Sequence, residues 1–452
     1  MAGKRILVVG AGFGGFYAAM HLRRAVDLGH RVTVVNPENF MQYQPFLPEV
    51  ASGTIDPRAV TVPLRRVLRH CEIVIGEVQR IDHDRRVANV RLVDEREIEL
   101  GYDVVVLSPG SWSRVLPIPG LAEHGVGFKT VPEAIWLRNH VLSRLDAAAE
   151  TDDPERRRAA LTFVFVGGGY AGVEALGELE DLARDALGSY SSVRAHEMRW
   201  VLVEAAGTIM PELSDDLAEY AMERLTARGI QILLNTRLES AEGGTIRLSD
   251  GQTFGAETLV WTAGVKPSPL AAESGFPVDE MGRIRTDAFL RVEGVDGAWA
   301  TGDAAAVPDR LGGGVMPPTA QHGMRQGKRA GDNVTAVLEG RRPVSFDYRG
   351  IGSVASLGRY KGVALILGVR LRGFPAWFAH RTYHLYAMPT LTRKVKIAAD
   401  WTVALLFPRD LAQLGSTENP RASFRRAAAD GGPSRGTRSR TRAAGAATDR
   451  RG

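Results

Sequence analysis

A strand, a glycine-rich turn and a helix follow one another twice in this 452-residue chain, and that duplication restricts it to a doubled α/β fold. The first copy reads RILVV, GAGFGG, FYAAMHLRRA from Arg5, and the second reads LTFVFV, GGGYAG, VEALGELEDLARDAL from Leu161. Short continuous apolar runs bounded by turn residues predict buried parallel strands. Gly10, Gly12 and Gly15, and again Gly167, Gly169 and Gly172, fit the spacing GxGxxG in that setting. The first glycine permits the sharp turn, the second lets a pyrophosphate approach the backbone, and the third lets helix and strand pack closely. The helix N-terminus behind each turn offers unpaired N–H groups and a positive dipole end to phosphates. With Gly14 and Gly168 between them, these residues are the candidate phosphate cradles. Each copy then repeats one plan: a second β-branched strand, alternating accessory strands, and a buried closing strand (DVVVL, ETLVW) ending in a small-residue turn at Gly110 or Gly264.

The two copies differ where the second strand ends. In the second copy that place holds Glu204, whose carboxylate suits a ribose 2′-hydroxyl and repels a 2′-phosphate, favouring NADH over NADPH. In the first it holds Asn36, able to accept a ribose hydrogen bond without charge, with Glu38 two residues on. Two dinucleotide sites in one chain suit one bound flavin and one exchangeable nicotinamide. The segment GAWATGDAAAV (297–307) fits this, because a strand stopping at Gly302-Asp303 presents backbone N–H groups and one carboxylate to the ribityl chain of FAD.

The patterning divides the chain into a first domain at residues 1–115, a second at 116–260 and a return to the first at 261–340. A C-terminal domain follows at 341–416, with glycine-interrupted strands (351–370) and aromatic-rich helices (about 374–387 and 391–407). Residues 417–452 carry nine arginines and three acids with almost no large apolar side chain, a composition that predicts disorder. Charge follows the same division. The formal net charge is +5, yet residues 359–409 hold nine Lys/Arg and one acid, and residues 1–358 carry about −8. An acidic body disfavours nucleic acid. The basic end instead sets Arg393, Lys394 and Lys396 beside one helical face formed by Leu391, Val395, Ala398, Thr402 and Leu405. Trp377, Phe378, Tyr383, Tyr386, Trp401 and Phe407 add aromatic bulk, as in an interfacial helix pair on an anionic membrane. The alternative is packing on the body or on a second subunit of a homodimer. No signal-peptide pattern and no bilayer-length apolar run are present, so a peripheral position on the cytoplasmic face of the membrane is expected. The single cysteine, Cys71, excludes a disulfide framework, a CxxC redox pair and a thiolate metal cluster.

These motifs together resemble the two-dinucleotide-domain flavoproteins built like glutathione reductase, over roughly residues 4–340. In that family the N-terminal motif and the TGD segment bind FAD and the internal motif binds NAD(P)H. Without a second cysteine the disulfide-reductase branch is excluded, and electrons pass from flavin to an external acceptor. Within the family the sequence is similar to type II NADH dehydrogenases, the non-pumping NADH:quinone oxidoreductases. QPFLPEVASG (44–53) resembles their segment beside the flavin, which implies that Gln44 and Pro45 face the quinone. GGGYAGVEALGEL resembles their GVELAGEL run, which implies that Glu174 lies near the nicotinamide. PPTAQHGMRQGK (317–328) resembles their AQxAxQQG signature on the quinone side. Gln321 matches its first glutamine and Gln326 its last, while Gly323 replaces alanine and Arg325 replaces the middle glutamine. The resemblance implies hydride transfer from NADH to FAD and two electrons onward to a membrane quinone. A soluble NAD(P)H:acceptor reductase using a redox protein or oxygen is the alternative.

Overall fold

The two predicted units form two separate parallel sheets in the computed structural model, which describes residues 3–350 and 352–413. In the first, β1 (Arg5–Val9) leads through the glycine turn into α1 (Phe13–His21). β1 lies between β2 (Arg31–Asn36) and, on its other side, the closing strand of this unit. Beyond β2 comes β3 (Glu72–Asp82), extended by antiparallel strands Val87–Leu92 and Glu97–Gly101. The closing strand is β4 (Val104–Leu107), and Ala298–Ala300 pairs parallel outside it. The second sheet centres on β5 (Thr162–Val166), which leads into α2 (Tyr170–Ala186). Around it run β6 (Arg199–Val203), β7 (Ile230–Leu233) and β8 (Thr258–Trp261). The registers show the duplication: Val8 pairs with Val34 and Val106, as Val164 pairs with Val201 and Leu259. The central strands are covered on both faces, which is why they are written in unbroken Val, Leu, Ile and Phe rather than in alternation.

Local signals set the helix ends that matter for the site. Thr130 and Glu133 exchange a capping box at the start of the helix Val131–Glu150. Thr319 Oγ1 accepts the His322 N–H at the start of α3 (Ala320–Leu338). Gly323, Gly327 and Gly331 recur every fourth residue along α3 and form a stripe without side chains laid against α1. A Cβ on Gly327 would stand 2.1 Å from the Gly14 carbonyl oxygen, and one on Gly331 would stand 2.6 Å from that of Ala18. Backbone therefore meets backbone, and the first turn of α3 is held beside the first glycine turn.

The C-terminal region is an antiparallel meander of β9 (Gly352–Ser356), β10 (Gly362–Ile366) and β11 (Val369–Arg372), followed by α4 (Phe374–Ala387) and α5 (Leu391–Leu406). Ile397 of α5 is wholly buried, and Asp400 accepts the Asp56 N–H at 3.0 Å. The outward face carries Leu391, Val395, Val403, Leu405, Leu406 and Phe407, all exposed. The aromatic residues expected to share an interface separate. Phe378, Tyr386 and Phe407 are exposed, whereas Trp377 is buried and Trp401 donates Nε1–H to the buried Glu49 at 2.6 Å. Arg381 explains the inward pair: its guanidinium lies 4.1 Å and 4.8 Å from the Trp377 and Trp401 rings and 3.0 Å from Glu49. The sequence reading of a disordered tail at 417–452 lies outside the described residues. Gly327→Ala should destabilise the fold by about 1–3 kcal/mol through forced separation of α1 and α3. A lowered thermal midpoint checks this, and an unchanged midpoint contradicts the close approach.

Candidate active site

The two glycine turns are built atom for atom alike. Gly10 N–H donates to Val35 O (2.8 Å) and Gly167 N–H to Val203 O (2.9 Å), both glycines having positive φ, which a side chain would strain. A Cβ on Gly15 or Gly172 would strike the carbonyl oxygen of Gly10 or Gly167 at 1.9 or 2.1 Å. A Cβ on Gly12 or Gly169 would meet nothing within 4 Å. The third glycine is thus required by packing, and the second borders open space, as close approach of a pyrophosphate demands. The strand-end residues complete the likeness. Asn36 Oδ1 accepts the Ala11 N–H (2.8 Å), and Glu204 Oε2 accepts the Gly168 N–H (2.5 Å), at equivalent places in the two turns. Asn36 also donates to Glu38 O, and Glu204 Oε1 accepts from Ala206 N–H at 2.7 Å. Both side chains brace their turns, and one of them brings a negative charge.

A cleft of about 900 Å³, within the ~300–1,000 Å³ range of small-molecule sites, draws walls from both units and from the C-terminal region. Of the sequence-derived residues, Gln44, Pro45, Glu174, Gly264, Asp303 and Gln321 line it. Gly110 and Gly302, both with positive φ, lie in the turns that carry Ser111 and Asp303. Asp303 Oδ2 accepts the Ser111 hydroxyl at 2.6 Å. The Gly302 N–H donates to Gln326 Oε1 at 2.8 Å, so the buried last glutamine of the α3 signature braces this turn. Arg325 is outside the cleft wall. Its guanidinium donates to Gln321 O (3.0 Å) and lies 4.3 Å from the Tyr348 ring, while Tyr348 donates to Gln321 Oε1 (3.3 Å).

Glu174 Oε1 accepts the Ser356 N–H at 2.9 Å and lies 3.1 Å from His380 Nε2, joining the second unit to β9 and α4. His384, one turn beyond His380, contacts Tyr43 OH through Nδ1 at 3.1 Å. Burial pushes the His384 imidazole well below its usual range, with His380 adding to the effect, and burial pushes the Tyr43 phenol well up. One turn along α2 from Glu174, Glu178 is entirely buried, and desolvation raises its carboxyl. Tyr43, Lys129, Ser111, His380 and His384 were not singled out from the sequence. The His380–His384 spacing on a predicted helix was a readable sign of a shared face, whereas nothing local marked the others.

Residues 4–327 match the family model for pyridine nucleotide-disulphide oxidoreductases. The chain is 31% identical to the type II NADH:quinone oxidoreductase Ndh of Mycobacterium tuberculosis, over 90% of this chain and 89% of that protein. It is 30% identical to the type II NADH:quinone oxidoreductase of Staphylococcus aureus, over 83% and 92% of the two chains. A solved structure of NDH2 from Plasmodium falciparum in complex with NADH superposes with a TM-score of 0.83 at 17% identity, covering 90% of this chain and 99% of that one, a likeness of fold. With one cysteine in the sequence no intrachain redox disulfide can form, and the chain belongs to the type II NADH:quinone oxidoreductases among the pyridine nucleotide-disulphide oxidoreductases.

Proposed function

We propose that the protein is a membrane-peripheral NADH:quinone oxidoreductase that holds FAD at its first glycine turn and NADH at its second. The observation that carries this reading is the shared cleft: Phe13 from the first turn, Tyr170 from the second, Asp303, Gln321 and Tyr383 all line one space. The FAD domain is residues 1–115 with 261–340, and the NADH domain is 116–260. Gly10, Gly12, Gly14, Gly15, Asn36, Gly110, Gly302 and Asp303 would hold FAD. Gly167, Gly168, Gly169, Gly172, Glu204 and Gly264 would hold NADH. FAD bound there supplies a two-electron acceptor for hydride from NADH and a donor to quinone. The chain supplies positioning: turn N–H groups and helix termini for the pyrophosphates, Asp303 for the ribityl hydroxyls, and Glu174, fixed by Ser356 and His380, for the nicotinamide end. Gln44, Pro45 and Gln321 form the quinone end, with Arg325 and Tyr348 fixing the Gln321 side chain and backbone.

Membrane attachment rests on α4 and α5. Among the described residues no helix is long and apolar enough to cross a membrane. The outward face of α5 nonetheless exposes Leu391 and Leu406 by 76% and 73%, beside Tyr386 at 80%, values that set it apart from an ordinary solvated helix. Arg393, Lys394 and Lys396 border it, each cation contributing about 1 kcal/mol near anionic lipid. A peripheral position on the cytoplasmic face of the membrane, alone or as a homodimer, fits these features.

Three outcomes follow. Glu204→Gln keeps an acceptor for the Gly168 N–H and removes the charge, so the preference for NADH over NADPH in kcat/KM should fall about tenfold or more; unchanged selectivity contradicts the ribose assignment. Gln321→Ala should raise KM for a short-chain quinone about tenfold with KM for NADH unchanged, the value of one hydrogen bond. Replacing Leu391, Val395 and Leu406 by glutamine should abolish co-sedimentation with anionic vesicles and leave NADH oxidation by a water-soluble acceptor intact, whereas retained sedimentation overturns the attachment.

A further inference from the structure

Lys129 stands where three segments of the cleft meet. Its backbone carbonyl accepts Gln42 Nε2 (2.7 Å) and Gln44 Nε2 (3.2 Å), fastening the segment that carries Gln44 and Pro45. Its N–H donates to Glu133 Oε2 (2.8 Å) in the capping box of the helix that follows. Its ammonium donates to Ser111 Oγ (2.6 Å) and lies 3.9 Å from Asp303 Oδ2, beyond hydrogen-bond length. The cations among the cleft-lining residues are Lys129 and Arg349; Arg349 is exposed, whereas the Lys129 side chain is only 23% exposed.

Keeping an ammonium in that place is unfavourable. Desolvation pushes its pKa down, with Asp303 and Glu133 opposing the shift. Anchoring Ser111 alone does not need a charge, since a neutral donor serves as well. The carbonyl bonds to Gln42 and Gln44 belong to the main chain and survive any change of side chain. What the ammonium adds is a positive charge, partly offset by Asp303 at 3.9 Å, in a cleft that both glycine turns border.

We propose that the Lys129 ammonium sets the reduction potential of the flavin by favouring its reduced, more negative state. The inference rests on the reading that FAD occupies the first turn and this cleft. Hydride from NADH brings two electrons and one proton together and leaves NAD⁺, so the flavin site becomes one charge more negative. That charge is withdrawn when two electrons and one proton pass to the quinone, which takes its second proton from water to become the quinol. A fixed cation lowers the free energy of the reduced state only, the differential interaction that preorganised charge provides. Lys129 is thus a tuning residue, acting on the equilibrium of the cofactor rather than on NADH binding.

The test is potentiometric titration of the bound flavin in the full-length protein, followed by its visible absorbance, for the parent, K129M and K129R. K129M should shift the equilibrium toward oxidised flavin about tenfold, about 30 mV more negative for a two-electron couple. K129R, retaining the charge, should stay within about threefold of the parent. If K129M loses flavin, K129Q, which keeps a donor to Ser111, supplies the measurement under the same expectation. A neutral variant that binds flavin at the parent's potential overturns the proposal and leaves the assigned activity standing. A parent protein that carries no flavin overturns that assignment and this inference together.

Discussion

One hydrogen bond made twice organises this molecule: a strand-end side chain accepts the N–H of the second residue in each glycine turn. Asn36 does so for Ala11 and Glu204 for Gly168. By using one amide internally, each side chain fixes the turn so that the neighbouring amides and the helix end face open space at Gly12 and Gly169. The geometry of the two sites is therefore nearly the same, and the difference lies in charge. A neutral brace suits the proposed FAD site, while a carboxylate brace at the proposed NADH site would repel a 2′-phosphate.

The glycine stripe of α3 seats its first turn beside the first glycine turn and the cleft. Because Gly327 and Gly331 let α3 touch the backbone of α1, the start of α3 reaches the first turn, and Gln326 can brace Gly302 while Gln321 faces the cleft. From the opposite side α4 contributes Tyr383 and His384 to the same cleft and leaves Phe378 and Tyr386 outside. One helix thus has an inner edge on the cleft and an outer face toward the proposed bilayer.

Much of this is legible in the sequence, and the parts that are not share a cause. Glycine spacing, β-branched runs and aromatic-rich helical patterning act within a few residues, so the two turns, their strands and the limits of α4 and α5 can be read locally. Direction cannot. Trp377 and Trp401 look interfacial by periodicity, yet they enclose Arg381, whose partner Glu49 lies more than three hundred residues away in sequence. Lys129 gives no sign in its own neighbourhood, since its importance arises where Gln42, Gln44, Ser111 and Asp303 converge. Arg325 reads as a changed acceptor contact, whereas the fold uses it to hold Gln321 and to lie on Tyr348. Contacts made across the fold, which single-sequence patterns do not encode, account for all three.

In the proposed mechanism two nucleotides bound at equivalent turns meet in one cleft that a quinone reaches without any thiol relay. Single-turnover stopped-flow on the flavin-loaded protein tests it most directly, using NADH deuterated at the transferred position and then a quinone added under anaerobic conditions. Rapid bleaching of flavin absorbance with a primary isotope effect is expected, followed by quinone-dependent return of the oxidised spectrum. A flavin that NADH bleaches but quinone fails to reoxidise, or one that NADH leaves unbleached, would contradict it.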